Sequence, residues 1–279
     1  MTITELDYQD LYVAGHRIAY LDEGEGDVVF LIHGIPTSSQ LWRSIIPSLA
    51  KDYRVIAPDM LNYGQSDMPL QADVSIAAQA RIMIGVMDAL GIARAHVVAH
   101  DIGGGVAQIM AVNHPERLRK LVLSNTVCFD SWPIPEFEPL QQPGAEHDMD
   151  LEAFLSMMSD FLPQGVYDPA SLTDTAQQLM LAPWSSETGK HALFRNFRRL
   201  NPEYTQAIAE ALPLVAHDIL ILWGREDPFQ KPVYAERLQE TLPHAQLAWL
   251  DEAAHWLMEE KPAEVTALLQ RFLARPEAS

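Results

Sequence analysis

The chain has 279 residues, 48% of them hydrophobic, which is enough to form one large domain with a substantial core. Its formal net charge of −19 disfavours nucleic acid and anionic membranes as partners, because like charges repel each other. With Cys128 as its one cysteine, the sequence cannot form an intramolecular disulfide, and we expect this residue to be a small buried side chain.

The amino-terminal residues 1–7 contain neither a basic segment nor an apolar core, so we expect no secretory signal. No apolar run in the sequence approaches the length that spans a bilayer. We therefore predict a cytoplasmic protein, monomeric or homodimeric, that binds a small molecule rather than nucleic acid or a membrane.

Short apolar runs and stretches of helical periodicity alternate along the first 128 residues. The first two runs are predicted to form a hairpin around a turn that contains Gly15. Predicted strands cover residues 11–13, 17–20, 28–32, 54–57, 95–99 and 121–123. Predicted helices cover residues 41–49, 74–90 and 106–112.

The alternation stops between residues 129 and 212, where no strong strand candidate appears. Helices are predicted there at residues 151–161, 170–181, 188–200 and 203–212. The alternation then resumes with a strand at 219–223, a helix at 233–242, a strand at 246–250 and a helix at 262–274. We predict an α/β fold with a doubly wound, mainly parallel sheet. Residues 1–128 and 213–279 would form the core domain, and residues 129–212 an inserted helical cap.

A turn of small residues follows the predicted strand 95–99, at residues 100–105 with the sequence HDIGGG. The glycines let the backbone bend sharply and let a helix begin close to the sheet, which would expose Asp101 at the sheet's upper edge. A carboxylate is ionised near neutral pH and acts as a nucleophile without a base. The alternative is that Asp101 only caps the helix, which would explain the aspartate but not the three glycines.

Three further segments end predicted strands, at the edge where parallel sheets carry their sites. In the segment 33–36, HGIP, the backbone N–H of Ile35 is a candidate donor to an oxyanion, together with that of Ile102. After the strand 219–223, Asp227 is a candidate to orient a histidine, with Glu226 as its rival. After the last strand, His255 is a candidate general base.

Along the chain, the segment with the oxyanion donor comes first, followed by the nucleophile, the acid and the base. This order is typical of α/β-hydrolases. The sequence resembles that superfamily over nearly its whole length. Segments 33–43 and 100–104 are similar to the haloalkane dehalogenase and epoxide hydrolase branch. In that branch an aspartate occupies the position of Asp101, on the sharp turn between strand and helix. The resemblance implies that Asp101 is the nucleophile, Asp227 the acid and His255 the base. It implies no metal and no organic cofactor.

Two positions depart from the dehalogenase pattern. Ile102 stands where these enzymes usually carry a halide-binding tryptophan, and Ile35 stands where they often carry Asn or Glu. A cap tryptophan, Trp132 or Trp184, is then the candidate halide ligand. Epoxide hydrolases of the branch protonate the epoxide oxygen with cap tyrosines or with a histidine and a tyrosine. The candidates for this role are Tyr204, Tyr167 and His191.

We predict hydrolysis of a small hydrophobic substrate by water through an ester on Asp101. Epoxide opening is favoured because the usual halide tryptophan is absent, and dehalogenation is the alternative. A non-catalytic ligand-binding protein of the same fold, and a hydrolase in which Asp101 has another role, stay open. The residues expected to contact substrate are His33, His100, Trp132, Trp184, Tyr204 and Trp256.

Overall fold

An eight-stranded sheet forms the centre of the protein in the computed structural model, which describes residues 7–276. The strands, in chain order, are β1 (Tyr8–Val13), β2 (His16–Glu23), β3 (Val28–Ile32), β4 (Arg54–Pro58), β5 (Ala95–His100), β6 (Leu118–Ser124), β7 (Asp218–Gly224) and β8 (Ala245–Leu250). Their order across the sheet is β1-β2-β4-β3-β5-β6-β7-β8. The β1–β2 and β2–β4 pairs are antiparallel and the other pairs are parallel. The predicted fold class is confirmed.

Ten α-helices accompany the sheet in the described part of the chain. They are α1 (Ile46–Leu49), α2 (Ile76–Ala89), α3 (Ile102–Asn113), α4 (Leu151–Phe161), α5 (Asp174–Leu181), α6 (Glu187–Phe197), α7 (Glu203–Gln206), α8 (Pro232–Thr241), α9 (Leu257–Glu260) and α10 (Pro262–Leu273). Helices α2 and α3 pack against each other, and α8 packs against β7 and β8. The central strand β5 is buried along its whole length, as expected for a parallel strand that is covered on both faces.

Side-chain caps explain where several helices begin. Ser75, Asp150, Thr173 and Ser186 each accept a hydrogen bond from a backbone N–H in the first turn of α2, α4, α5 and α6. Helix α5 starts at Asp174 rather than at the predicted residue 170, because Thr173 caps it there and Pro169–Ser171 forms a separate 3₁₀ turn.

Two predicted helices are shorter than the periodicity indicated. The helix predicted at 41–49 is a 3₁₀ turn, Ser39–Trp42, followed by the short α1, which has Pro47 in its first turn. Proline lacks the backbone N–H that a continuous helix needs at that point. The helix predicted at 203–212 ends at Gln206, and a 3₁₀ turn at Leu212–Leu214 follows, with Pro213 restricting the residue before it.

The described chain between β6 and β7 contains helices and turns but no strand. This segment contacts the sheet domain through Trp184, whose Nε1–H donates to the Pro36 carbonyl at 2.8 Å. Asn62 also donates to the Ala192 carbonyl, at 2.8 Å. The division into core and cap at residues 129 and 212 stays a prediction.

Within residues 7–276, no helix combines the length and the apolar character needed to cross a bilayer. The expectation that the chain carries no secretory signal concerns residues 1–7, of which 1–6 lie outside the described residues. Residues 277–279, at the end of the predicted core domain, also lie outside them.

Candidate active site

Asp101 lies on the turn between β5 and α3, with φ 53° and ψ −123°. This is a backbone conformation that residues other than glycine rarely adopt, and it is typical of functional sites. The side chain makes no capping hydrogen bond to α3, so the interpretation of Asp101 as a helix cap is wrong. A Cβ at Gly103 would collide with the His33 carbonyl, and one at Gly104 with the Thr126 side chain, so α3 approaches the sheet only with glycine there.

One oxygen of the Asp101 carboxylate is held by the chain that follows β3. The backbone N–H of Ile35 donates to Oδ1 at 2.9 Å. Asp101 is 5% exposed, and this burial raises the pKa of its carboxyl. The positive charge of His255 and the nearby backbone N–H groups of Ile102 and Ile35 oppose that rise. The two predicted oxyanion donors therefore both act on the carboxylate.

The other oxygen of Asp101 faces a buried histidine. Nε2 of His255 lies 3.9 Å from Oδ2 of Asp101, too far for a hydrogen bond, so Nε2 stays able to bind a water molecule. Nδ1 of His255 lies 2.9 Å from Oδ2 of Asp227 and donates its proton to that carboxylate. Burial alone would lower the pKa of His255, but Asp227 and then Asp101 outweigh it, and the pKa is raised above 6.5.

Asp227 is fixed by hydrogen bonds to both of its oxygens. Oδ1 accepts from the backbone N–H groups of Phe229 and Gln230, at 2.8 and 3.0 Å. Oδ2 accepts from the Asn125 side chain as well as from His255. The rival acid, Glu226, is exposed and accepts from the Ala253 N–H instead, so the geometry selects Asp227.

Asn125 is a site residue that the sequence did not point to. It directly follows β6, and its amide cannot itself serve as the acid. Its Nδ2 donates to Asp227 and, at 3.0 Å, to the Ala254 carbonyl next to His255. Asn125 therefore ties the acid to the backbone that carries the base.

A small cavity lies over Asp101 and His255. Most of its wall is aliphatic or aromatic, and the polar side chains in it are few. The lining residues are Ile35, Asp101, Ile102, Val127, Trp132, Pro133, Ile134, Phe137, Phe161, Leu200, Phe229, Gln230, His255 and Trp256. Such a wall suits a small apolar molecule.

Comparison with known proteins places this arrangement in a family. A family model described as alpha/beta hydrolase fold matches residues 27–157. The 2-hydroxymuconate semialdehyde hydrolase of Pseudomonas sp. (strain CF600) is 31% identical over 278 residues, which cover 97% of this chain and 95% of that protein. The chain belongs to the α/β-hydrolase family.

Other relatives of this α/β-hydrolase carry different names. Haloalkane dehalogenase 2 of Mycobacterium bovis is 29% identical over 92% of this chain and 91% of its own length. Among solved structures, an alpha/beta hydrolase fold protein from Burkholderia ambifaria superposes with a TM-score of 0.90 at 29% identity, over 96% of this chain and 98% of that one. The names of these relatives indicate different substrates.

The tryptophans predicted to hold a halide have no free indole N–H in this α/β-hydrolase. Trp132 lines the cavity, but its Nε1–H donates to Oγ1 of Thr205 at 2.8 Å. Trp184 does not line the cavity, and its Nε1–H donates to Pro36. Both indole donors are already used in this structure, and halide binding by either tryptophan stays a prediction.

The residues predicted to protonate an epoxide also lie away from the cavity wall. Tyr167 is half-exposed. His191, on α6, lies 3.6 Å from Glu187 and stacks edge-on with His147. Tyr204 is partly buried on α7 and packs against the core. The structure thus brings none of these three groups to Asp101.

His33 and His100 hold backbone rather than line the cavity. Nδ1 of His33 donates to the Gly34 carbonyl at 2.9 Å and its Nε2 accepts from Met60, and burial lowers its pKa to about 4. Nε2 of His100 donates to the His255 carbonyl at 3.0 Å. Of the six predicted substrate contacts, the cavity supports Trp132 and Trp256 but not His33, His100, Trp184 or Tyr204.

Within residues 7–276, no three His, Cys, Asp or Glu side chains cluster so that they could hold a metal ion. Trp256 lines the cavity with its ring and donates its Nε1–H to the Leu162 carbonyl at 3.0 Å. The site therefore consists of a carboxylate, an oriented imidazole and an apolar wall.

Proposed function

We propose that this α/β-hydrolase hydrolyses a small apolar substrate at a saturated carbon through a covalent ester on Asp101. The arrangement of the Asp101 oxygens carries the proposal. Oδ1 accepts the Ile35 N–H, whereas Oδ2 faces His255 at the cavity. A carboxylate held in this way keeps one oxygen free to attack.

In the first step, a lone pair of Oδ2 forms a bond to the substrate carbon. The bond from that carbon to the leaving group breaks, and its electron pair stays with the leaving group. Oδ1 becomes the carbonyl oxygen of the ester and keeps its hydrogen bond from Ile35. The step needs Asp101 ionised, and it needs no base.

In the second step, Nε2 of His255 takes a proton from water, and the water oxygen attacks Cγ of Asp101. The negative charge that develops on Oδ1 is held by the N–H groups of Ile35 and Ile102. The bond from Cγ to Oδ2 then breaks, and the leaving alkoxide takes the proton back from His255. Asp227 stabilises the transient imidazolium. The sum is R–X + H₂O → R–OH + X⁻ + H⁺.

A carbon–halogen bond is the reacting bond that this cavity supports best. A halide leaves without a proton, whereas the oxygen of an opening epoxide is strongly basic and needs an acid. The tyrosines predicted for that role do not line the cavity. The similarity to haloalkane dehalogenase 2 also favours a halogenated substrate. Epoxide opening is the second candidate, since the same Asp101 geometry supports it.

The proposal is tested by trapping the ester. Without the imidazole of His255, the first step proceeds and the second stops, so His255→Gln is expected to accumulate an alkyl adduct with short 1-bromoalkanes. Intact-protein mass spectrometry detects the added mass, and peptide mapping assigns it to Asp101. Asp101→Ala serves as the control and is expected to form no adduct.

The same variants separate the other reactions. An adduct with epoxides but not with bromoalkanes would support the second candidate. No adduct with either, together with an Asp101→Ala protein that still hydrolyses a 2-hydroxymuconate semialdehyde-type substrate, would overturn the ester mechanism.

A further inference from the structure

The side-chain amide of Gln230 is a buried polar group without a hydrogen-bond partner. Gln230 is 2% exposed, and its Oε1 has no partner within the described chain. No hydrogen bond of its Nε2 to residues 7–276 is found either. Buried polar groups nearly always have partners in folded proteins, so this one needs an explanation.

The backbone of Gln230 is fixed beside the acid of the site. Its N–H donates to Oδ1 of Asp227 at 3.0 Å, and its carbonyl accepts from Nε1 of Trp223 at 2.8 Å. The side chain therefore starts from a rigid backbone, and Gln230 is one of the residues that line the cavity over Asp101. The backbone thus fixes where the side chain begins, and its amide is left available to bind a reacting group.

The other side-chain N–H donors of the cavity wall are already used. Trp132 donates to Thr205 and Trp256 to Leu162. Nδ1 of His255 donates to Asp227. Among the described lining residues, Gln230 is thus the side chain whose N–H groups have no acceptor.

We propose that the Gln230 amide binds the halide that leaves when Asp101 attacks, an inference that rests on the proposed function. As the bond from Oδ2 to carbon forms and the carbon–halogen bond breaks, the halogen takes the electron pair and becomes an anion in an apolar cavity. An N–H aimed at it lowers the energy of that step. A neutral amide donates a hydrogen bond but does not give up its proton, so Gln230 suits a halide and not an alkoxide.

Gln230→Met tests the role of this donor, because methionine has nearly the same length and no N–H. We expect ester formation from 1-bromobutane, followed by mass in the His255→Gln background, to slow by about 10²-fold. The loss should be larger with 1-chlorobutane, since chloride is the poorer leaving group. Decay of the ester, measured in a protein with His255 intact, should change little, which a general structural defect would not reproduce.

Gln177→Met is the matched control. Gln177 lies on α5, away from the cavity wall, and its Nε2 donates to the Ser159 carbonyl at 2.8 Å. This variant should keep the wild-type rate of ester formation. The melting temperature of Gln230→Met should equal or exceed that of the wild type, because the variant removes an unpartnered buried amide.

A direct measurement uses bromide ion as the probe. In Asp101→Asn, which lacks the repelling carboxylate, bromide is expected to quench the fluorescence of Trp132 and Trp256 saturably. The double variant Asp101→Asn/Gln230→Met should bind bromide at least 10-fold more weakly. Equal bromide affinity and equal ester formation with and without Gln230 would overturn this inference and leave the proposed function intact. Absence of the ester in the His255→Gln protein that retains Gln230 would overturn both.

Discussion

At the scale of single residues, the site depends on how two carboxylates act on one imidazole. Asp227 and Asp101 raise the pKa of His255 above its ordinary value, although burial works against them. The protonated form of His255 cannot take a proton from water. In the proposed ester Asp101 carries no charge, so Asp227 is the main group that still favours protonated His255 during the second step. That step is therefore expected to speed up with rising pH, as His255 loses its proton.

Asp227→Asn removes the largest group that raises the pKa of His255. The midpoint of ester decay against pH should move to lower pH, because an amide does not stabilise the imidazolium. The maximal decay rate should fall by about 10³–10⁴-fold, since an amide N–H facing Nδ1 favours the wrong tautomer. Rapid-quench measurement of the ester across pH reports both quantities.

Glu226→Gln is the matched control for this experiment. Glu226 is the neighbouring acid, but it is exposed and bonded to Ala253. Its removal should leave the midpoint and the maximal rate unchanged. A midpoint that moves upward in Asp227→Asn, or equally in both variants, would contradict the assignment of the acid.

At the scale of elements, the turn after β3 contacts the turn before α3 where Gly34 lies against Asp101. A Cβ on Gly34 would lie 2.5 Å from both Cβ and Oδ1 of Asp101. That distance is too short for any real contact, so one of the two turns must shift. The close approach is what lets the Ile35 N–H reach Oδ1.

Gly34→Ala is therefore expected to slow ester formation by about 10²-fold, because displacement of the nucleophile by less than an ångström is costly. Circular dichroism should show a folded protein. The control is Gly144→Ala, where a Cβ meets nothing within 4 Å but φ is 88°. It should cost about 1 kcal/mol of stability without loss of activity. Full activity in Gly34→Ala would show that the contact does not position Asp101.

The parts of the site that the sequence predicted are those with a local signal. Asp101, Asp227 and His255 each follow an apolar strand in a turn, and their order along the chain indicated their roles. What escaped prediction depends on distant partners. Nothing near Trp132 shows that Thr205, 73 residues later, occupies its indole N–H. Gln230 likewise follows a turn like any other, and only the folded cavity shows that its amide has no partner.

The helix predictions that differ from the structure do so for a related reason. Periodicity located the strands and the long helices, but it ran one helix across Pro47 and continued another from Gln206 to residue 212, next to Pro213. It also missed α9, a single turn directly after His255. Such short helices are stabilised by contacts with other segments rather than by their own sequence.

At the scale of the whole molecule, one buried ion pair connects the segment that follows Ile35 with the segment that follows His255. Nη1 and Nη2 of Arg43 lie 2.5 and 2.6 Å from the two oxygens of Glu259, and the side chains are 8% and 5% exposed. Arg43 follows the oxyanion turn, and Glu259 lies on α9 after His255. The two residues are 216 positions apart in the chain.

Glu259→Leu is expected to lower the free energy of unfolding by about 3–5 kcal/mol, because it leaves the Arg43 charge buried without a partner. The double variant Arg43→Met/Glu259→Leu should recover most of that loss, since both charges are then absent. Urea denaturation of the two single variants and the double variant measures the coupling.

The exposed pair of Arg225 and Asp251 provides the comparison. Their side chains lie 2.6 Å apart on the surface, and Asp251→Ala should cost no more than about 1 kcal/mol. A Glu259→Leu protein that is no less stable than Asp251→Ala would contradict the role given to the buried pair.

Because only one of the two Asp101 oxygens is free of a backbone hydrogen bond, the site also predicts a stereochemical outcome. In the proposed reaction, the free oxygen approaches the substrate carbon from the side opposite the departing atom, and water later attacks the carboxyl carbon of the protein rather than the substrate. A stereogenic carbon is thus inverted once and not restored. A single enantiomer of a secondary halide should leave this enzyme as the alcohol of the opposite spatial arrangement.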